Sequence, residues 1–190
     1  SDTGEVKRLA KKANENITHL IVSSECTAKW HKSAFGVDDE KIFPIGLPRT
    51  DLMLDDSKRQ KMQERFFEQY PDLRGKKITL YAPTFRDSQV ENPEICLDFD
   101  SLNQCMEENE VLLIRLHPHV AEHCPVGIWD MYPDKIRNVS DYPGVATLLS
   151  VADQLITDYS SIIYEYCLLE RKMIFYAYDY EVFQKDGRNF

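Results

Sequence analysis

A chain of 190 residues with 43% hydrophobic residues and mixed charges can bury one domain, or one domain and part of another, and lacks the composition of a disordered segment. Its 32 acidic against 23 basic residues give a net charge of −9, which speaks against a nucleic-acid-binding surface but leaves room for an anionic small molecule held by a few local charges. The five cysteines (Cys26, Cys96, Cys105, Cys124 and Cys167) are odd in number and lack C-x-x-C spacing, so they read as reduced thiols, and no apolar run approaches the ~20 residues that span a bilayer.

Residues 1–16 are polar, with Lys7, Arg8, Lys11 and Lys12 clustered, and read as a solvated helix or an exposed leader. The run ITHLIVS from Ile17 predicts a short buried strand. Ser24 then caps a helix that carries Trp30, Ala34 and Phe35 and ends at Gly36. A strand over Lys41 to Ile45 runs into Gly46-Leu47-Pro48, a bend suited to a junction between lobes. From Asp55 or Asp56, the spacing of Met62, Phe66, Phe67 and Tyr70 predicts an amphipathic helix closed by Pro71 and Gly75, its aromatics facing the core. The strand Ile78 to Ala82 delivers Pro83 to Asp87 at its carboxyl end. A loop with Asn92 and Pro93 precedes a helix marked by Leu102, Cys105 and Met106. Val111 to Leu116 (VLLIRL) is the clearest buried strand, and it delivers His117-Pro118-His119. After a loop with Pro125 and Gly127 come a weaker strand, Ile136 to Val139, and a helix through Val145, Leu148, Leu149 and Ala152, with Pro143 in its first turn. The stretch from Gln154 to Leu169 (QLITDYSSIIYEYCLL) reads as strand, polar turn and helix, and Lys172 to Tyr178 as the last strand. Strands alternating with helices predict an α/β fold with a Rossmann-like, doubly wound, mostly parallel sheet. No helix is legible after the last strand, so the chain reads as a fragment of a longer protein.

In such a sheet the strands' carboxyl ends share one edge, where ligands bind. Three polar clusters fall there: Thr84 to Asp87, His117 to His119, and Asp158 to Ser161. Arg86 offers a bidentate fork for phosphate, His117 an imidazole that can donate to a phosphate oxygen or move a proton, and Ser160 and Ser161 hydroxyls beside a helix N-terminus that favours anions. Bland readings compete: a loop ion pair of Arg86 with Asp87, a backbone-satisfied His117, and a helix cap at Asp158. His117, His119 and His123 lie across a proline break and have no fixed metal-binding geometry, so no metal is expected. Neither G-x-G-x-x-G nor G-x-x-x-x-G-K-[ST] occurs, and no G-x-S-x-G elbow makes either serine a nucleophile.

The pieces SSE (Ser23 to Glu25), IGLPRTD (Ile45 to Asp51), LYAPTFRD (Leu80 to Asp87), IRLHP (Ile114 to Pro118), SDYP (Ser140 to Pro143), LITDYSS (Leu155 to Ser161) and FYAYD (Phe175 to Asp179) resemble, in order, the CDP-glycerol glycerophosphotransferase family of teichoic acid polymerases and primases. The resemblance implies a GT-B fold, with residues 1–44 as the last strand and helix of the first lobe and residues 45–190 as the nucleotide-binding second lobe, truncated at its C-terminus. It implies transfer of glycerol phosphate from CDP-glycerol to a hydroxyl of a lipid-linked acceptor with release of CMP, in the cytoplasm at the inner membrane face, without a cofactor. His117 matches the second-lobe catalytic histidine; the first-lobe partner has no counterpart here, so the isolated chain is expected to be inactive. Thr84, Arg86, Ser160 and Ser161 would bind the donor's phosphates, and Asp158 would orient its neighbours or a ribose hydroxyl. Two alternatives stand beside this reading. One is another GT-B transferase of surface-polymer assembly, with a CDP-ribitol or nucleotide-sugar donor; the other is a non-catalytic nucleotide-binding or interaction module.

Overall fold

The computed structural model describes residues 3–84, 86, 95–123 and 131–185, the side chains of Thr3, Val6, Lys7, Ala10, Lys11 and His119 excepted. Phe85, Asp87, the loops with Asn92 and Pro93 and with Pro125 and Gly127, and Cys124 lie outside the described residues. The chain divides into two compact units, Ser1–Asp51 and Leu52–Phe190.

In the first unit, helix α1 (Thr3–Ala13) precedes a two-residue strand β1 (Leu20–Ile21), helix α2 (Glu25–Phe35) and strand β2 (Ile42–Phe43), which pairs parallel with β1. Ser24 caps α2 in a capping box with Thr27, and Gly36 closes it in the left-handed conformation (φ 65°), where a Cβ would be strained. None of the residues of α2 is buried, and Trp30 is 69% exposed. The apolar side chains that predicted this helix therefore do not form a core; among the described residues of this unit the buried hydrophobics are Val22 and Val37.

The short helix α3 (Asp51–Leu54) starts at the last residue of the first unit, and the second continues with helix α4 (Asp56–Gln69), which the Asp55 carboxylate caps by accepting from the Lys58 N–H at 3.0 Å. Five strands follow: β3 (Lys77–Tyr81), β4 (Glu110–Ile114), β5 (Ile136–Asn138), β6 (Gln154–Thr157) and β7 (Lys172–Phe175). They form one sheet of order β5-β4-β3-β6-β7, and every pairing is parallel. The intervening helices are α5 (Phe99–Cys105), α6 (Pro118–Ala121), α7 (Val145–Val151) and α8 (Ile163–Tyr166), and α9 (Tyr180–Lys185) follows β7, where the sequence showed no helix.

Alternation along the strands sorts side chains between two cores. Ile78, Leu80, Val111, Leu113 and Leu155 face α4 and α7, meeting Phe66, Leu148 and Leu149, whereas Tyr81, Leu112, Ile114 and Ile136 face the side of α5, against Phe99, Leu102 and Met106. Both sheet faces are thus covered, as parallel sheets require, and this explains why β4 reads as a continuous apolar run. Burying one such leucine contributes roughly 1.5–3 kcal/mol before entropy is charged against it. The aromatic face predicted for α4 is confirmed: Phe66 is fully buried and meets Phe67 and Tyr142 edge-on at 5.4 and 5.5 Å.

Candidate functional site

The strand order fixes where a site can form. The chain runs outward from β3 through β4 to β5, then crosses back to β6 on the other side of β3 and on to β7. Successive connections leave β3 and β6 in opposite directions at their carboxyl ends, and a crevice opens between them. The two strands are tied together at that point, because the buried Thr157 hydroxyl donates to the Ala82 carbonyl at 2.7 Å.

A cleft of about 440 Å³, within the usual range for small-molecule sites, occupies this position. Three segments line it, Ala82 to Thr84 after β3, Arg115 to Pro118 after β4, and Tyr159 to Ile162 after β6, together with Val145. Of the residues singled out in the sequence, Thr84, His117, Ser160 and Ser161 meet here. Arg86 and Asp158 are not among the lining residues but bond to two that are, Thr84 and Tyr159.

Asp158 is buried, and its carboxylate accepts from the backbone N–H groups of Thr84 and Tyr159 and from Arg86 Nη2, each at 2.7 Å. It therefore does not cap α8; it pins the segment after β3 to the segment after β6. Arg86 is equally buried. Its Nε and Nη2 donate to the Asp179 carboxylate at 2.5 and 2.8 Å, Nη2 also to Asp158, and Nη1 to the Thr84 carbonyl at 2.6 Å. Four of its five N–H groups are thus occupied. The rings of Tyr178, Phe183 and Tyr159 surround the guanidinium at 5.2, 5.7 and 5.8 Å, and Tyr159 stacks on Phe183 at 3.9 Å. The fork read in the sequence as a phosphate clamp is turned onto carboxylates. Burial alone would lower the Arg86 pKa, but the hydrogen bonds to Asp179 and Asp158 outweigh it and raise the value, while the bond from Arg86 holds Asp179 below the ordinary carboxylate range. Desolvation, helped by the neighbouring Asp179, pushes the Tyr159 hydroxyl up to about 12.

His117 is exposed at the N-cap position of α6, with Pro118 in the first turn. The helix predicted after Ser161 is much shorter than its apolar pattern suggests: α8 has four residues and passes into a single 3₁₀ turn, Cys167–Leu169. The N–H groups of Ile162, Ile163 and Tyr164 are already taken by Ser160 Oγ, the Ser160 carbonyl and the Ser161 carbonyl, at 3.5, 3.4 and 3.1 Å. A helix this short supplies little dipole, so the anion-binding capacity of the segment falls to the two serines. The Thr84 hydroxyl oxygen is buried and has no hydrogen-bond partner among the described residues.

Two residues of this region escaped the sequence reading. Asp179 anchors Arg86 from the segment after β7; its signal was its place at the end of FYAYD, beyond a strand's carboxyl end. Arg115, two residues before His117 in IRLHP, lines the cleft.

A doubly wound parallel sheet with a polar cleft at its switch point places this unit among the Rossmann-like lobes, the class from which GT-B folds are built. The chain belongs to the family described as CDP-Glycerol:Poly(glycerophosphate) glycerophosphotransferase, which it matches over residues 2–190. It is 39% identical over 171 residues to a teichoic acid poly(ribitol-phosphate) polymerase of Bacillus spizizenii, covering 88% of this chain and 27% of that protein. It is 33% identical over 181 residues to a teichoic acid glycerol-phosphate primase of Bacillus subtilis, covering 95% of this chain and 45% of that one. Its fold superposes on the wall teichoic acid polymerase TagF with a TM-score of 0.81 at 29% identity, covering 99% of this chain and 46% of that chain. A TagF variant soaked with CDPG gives a TM-score of 0.83. The chain thus spans less than half the length of each of these relatives.

Proposed function

We propose that residues 45–190 are the donor-binding lobe of a glycerophosphotransferase and that residues 1–44 are the end of its first lobe. The whole protein transfers glycerol phosphate from CDP-glycerol to a terminal hydroxyl of a lipid-linked teichoic acid acceptor, with release of CMP, and works in the cytoplasm at the inner face of the membrane. Among the described residues no helix is long and apolar enough to cross a membrane, so association with that face would be peripheral or carried by other sequence. One observation carries the reading: three strand ends of a single parallel sheet bring Thr84, His117, Ser160 and Ser161 to one cleft, in a chain of this family.

In this reading the acceptor hydroxyl attacks the β-phosphorus, the bond from that phosphorus to the bridging oxygen breaks, and CMP departs with the electron pair. His117 donates to the phosphate on which charge builds, and the Thr84, Ser160 and Ser161 hydroxyls hold the diphosphate in line. Arg86 and Asp158 act one step back, by fixing the segments after β3 and β6. No group of this chain is assigned to take the acceptor's proton; that base belongs to the first lobe, and the isolated chain binds donor without turning it over.

Calorimetry on the chain tests the binding claim. CDP-glycerol should bind, and Ser160→Ala and His117→Ala should each weaken it; absence of any affinity for CDP- or UDP-linked donors in the folded chain would leave a non-catalytic interaction module. Transfer from radiolabelled donor, measured with the chain joined to a first lobe, tests the chemistry, since undiminished transfer by His117→Ala would remove His117 from the mechanism. A ribitol donor is a specific second reading, because identity to the ribitol-phosphate polymerase, 39%, exceeds that to the glycerol-phosphate primase, 33%. Parallel titrations with CDP-glycerol and CDP-ribitol decide between them.

A further inference from the structure

Arg86 is occupied by Asp158 and Asp179, which leaves open what neutralises a diphosphate in the cleft of a protein that carries a net charge of −9. Among the described residues that line the cleft, Arg115 is the one permanently charged side chain and none is a carboxylate. Its backbone is fixed, because the Arg115 N–H donates to the Tyr81 carbonyl at 2.9 Å as the chain leaves β4. Its side chain makes a single hydrogen bond among the described residues, from Nη1 to the Tyr142 carbonyl at 2.6 Å. A guanidinium has five N–H groups, so four have no acceptor among the described residues. The Tyr142 contact orients the fork without discharging it, since a carbonyl is a neutral acceptor.

We infer that Arg115, aided by the unpartnered hydroxyl of Thr84, is the residue that grips the diphosphate of the ligand, and that Arg86 serves only to position the segments around it. The inference rests on the reading of the cleft as a nucleotide-donor site. The two arginines differ in a way that supports it. Burial lowers the pKa of Arg115, the mark of a cation that has lost water without gaining a carboxylate, whereas the Arg86 value is raised by its two carboxylate partners. Water withheld from Arg115 is returned as binding strength when a doubly charged oxygen cluster enters, and a planar fork suits two phosphate oxygens better than a point charge would.

Calorimetric titration of the chain with CDP-glycerol, CMP, cytidine and inorganic pyrophosphate reads this directly. Arg115→Met should weaken CDP-glycerol and pyrophosphate by about ten- to a hundredfold, the usual effect of losing hydrogen bonds to a charged group, and leave cytidine unchanged. The slope of log affinity against log salt should become shallower in the variant, and Arg115→Lys should recover part of the loss. If Arg115→Met unfolds, Arg115→Gln and Arg115→Lys, which keep a donor for the Tyr142 carbonyl, carry the same comparison. Equal binding of CDP-glycerol by wild type and variant overturns the role of Arg115 and leaves the donor reading standing. Wild-type chain that ignores CDP-glycerol but binds pyrophosphate through Arg115 overturns the donor reading and keeps the anion site. Wild-type chain that binds neither overturns both, and a variant that loses cytidine as heavily as pyrophosphate overturns the assignment to the diphosphate.

Discussion

Replacing Asp179 with alanine removes two of the four hydrogen bonds that hold a buried guanidinium, those from Nε and Nη2 of Arg86. Breaking one side of a buried ion pair costs about 3–5 kcal/mol when the remaining charge is left without compensation. Here the compensation is partial, because Asp158 and the Thr84 carbonyl still accept from Arg86, and the Asp179 side chain is 17% exposed, so water can enter the vacated space. The expected loss is therefore about 2–3 kcal/mol for Asp179→Ala, and about half that for Asp179→Asn, whose amide oxygen can still accept. Urea denaturation with an unchanged m value would register the loss as a lowered midpoint. The pH dependence supplies a second reading. The Asp179 pKa is depressed in the folded protein, so its contribution is present above the unfolded value, about 3.9, and is lost as pH falls from there through the folded value. The Asn variant should accordingly show a flatter decline of stability below about pH 4. An alanine variant within about 0.5 kcal/mol of wild type, the scatter of ordinary surface substitutions, would refute the view that Asp179 holds Arg86.

Thr84→Val removes a buried hydroxyl that has no partner among the described residues and should stabilise the ligand-free chain by about 1 kcal/mol in thermal unfolding, while weakening CDP-glycerol in calorimetry if the cleft is the proposed donor site; destabilisation would mean that the hydroxyl is satisfied. Phe66→Ala empties the centre of the α4 face and should cost about 3–5 kcal/mol in urea. Spectrophotometric titration should find Tyr159 and Tyr166 still protonated at pH 11, because burial pushes both hydroxyls up to about 12. With folded values above the unfolded value of about 10, their contribution to stability is complete below pH 10 and disappears as pH rises towards 12.

The sheet was legible because its physics is local. Central parallel strands buried on both faces must be continuous apolar runs, as VLLIRL is, and the α4 aromatics recur at helical spacing. The convergence of Thr84, His117, Ser160 and Ser161 followed from topology once the strands were placed. The fate of Arg86 was not legible, because its carboxylate partners lie 72 and 93 residues away and no local rule selects them over Asp87. The reach of α8 was overestimated because IIYEYCLL carries a helical apolar pattern whatever its length, and the turn at Glu170, which adopts a left-handed conformation (φ 53°), cuts it short. Arg115 was passed over because it sat inside a strand-like apolar run, where an arginine reads as a strand-edge residue.

The clamp around Arg86 also has a consequence for when the cleft comes into being. Ribosomes release a chain from its N-terminus, so β3, β4 and β5 emerge and can pair before Asp158 and Asp179, through which the cleft wall after β3 is held. The finished cleft therefore comes after the first strand pairings. A nascent chain halted before Asp179 should retain much of its sheet's exchange protection while the segment after β3 lacks its clamp, which hydrogen exchange on stalled chains would register.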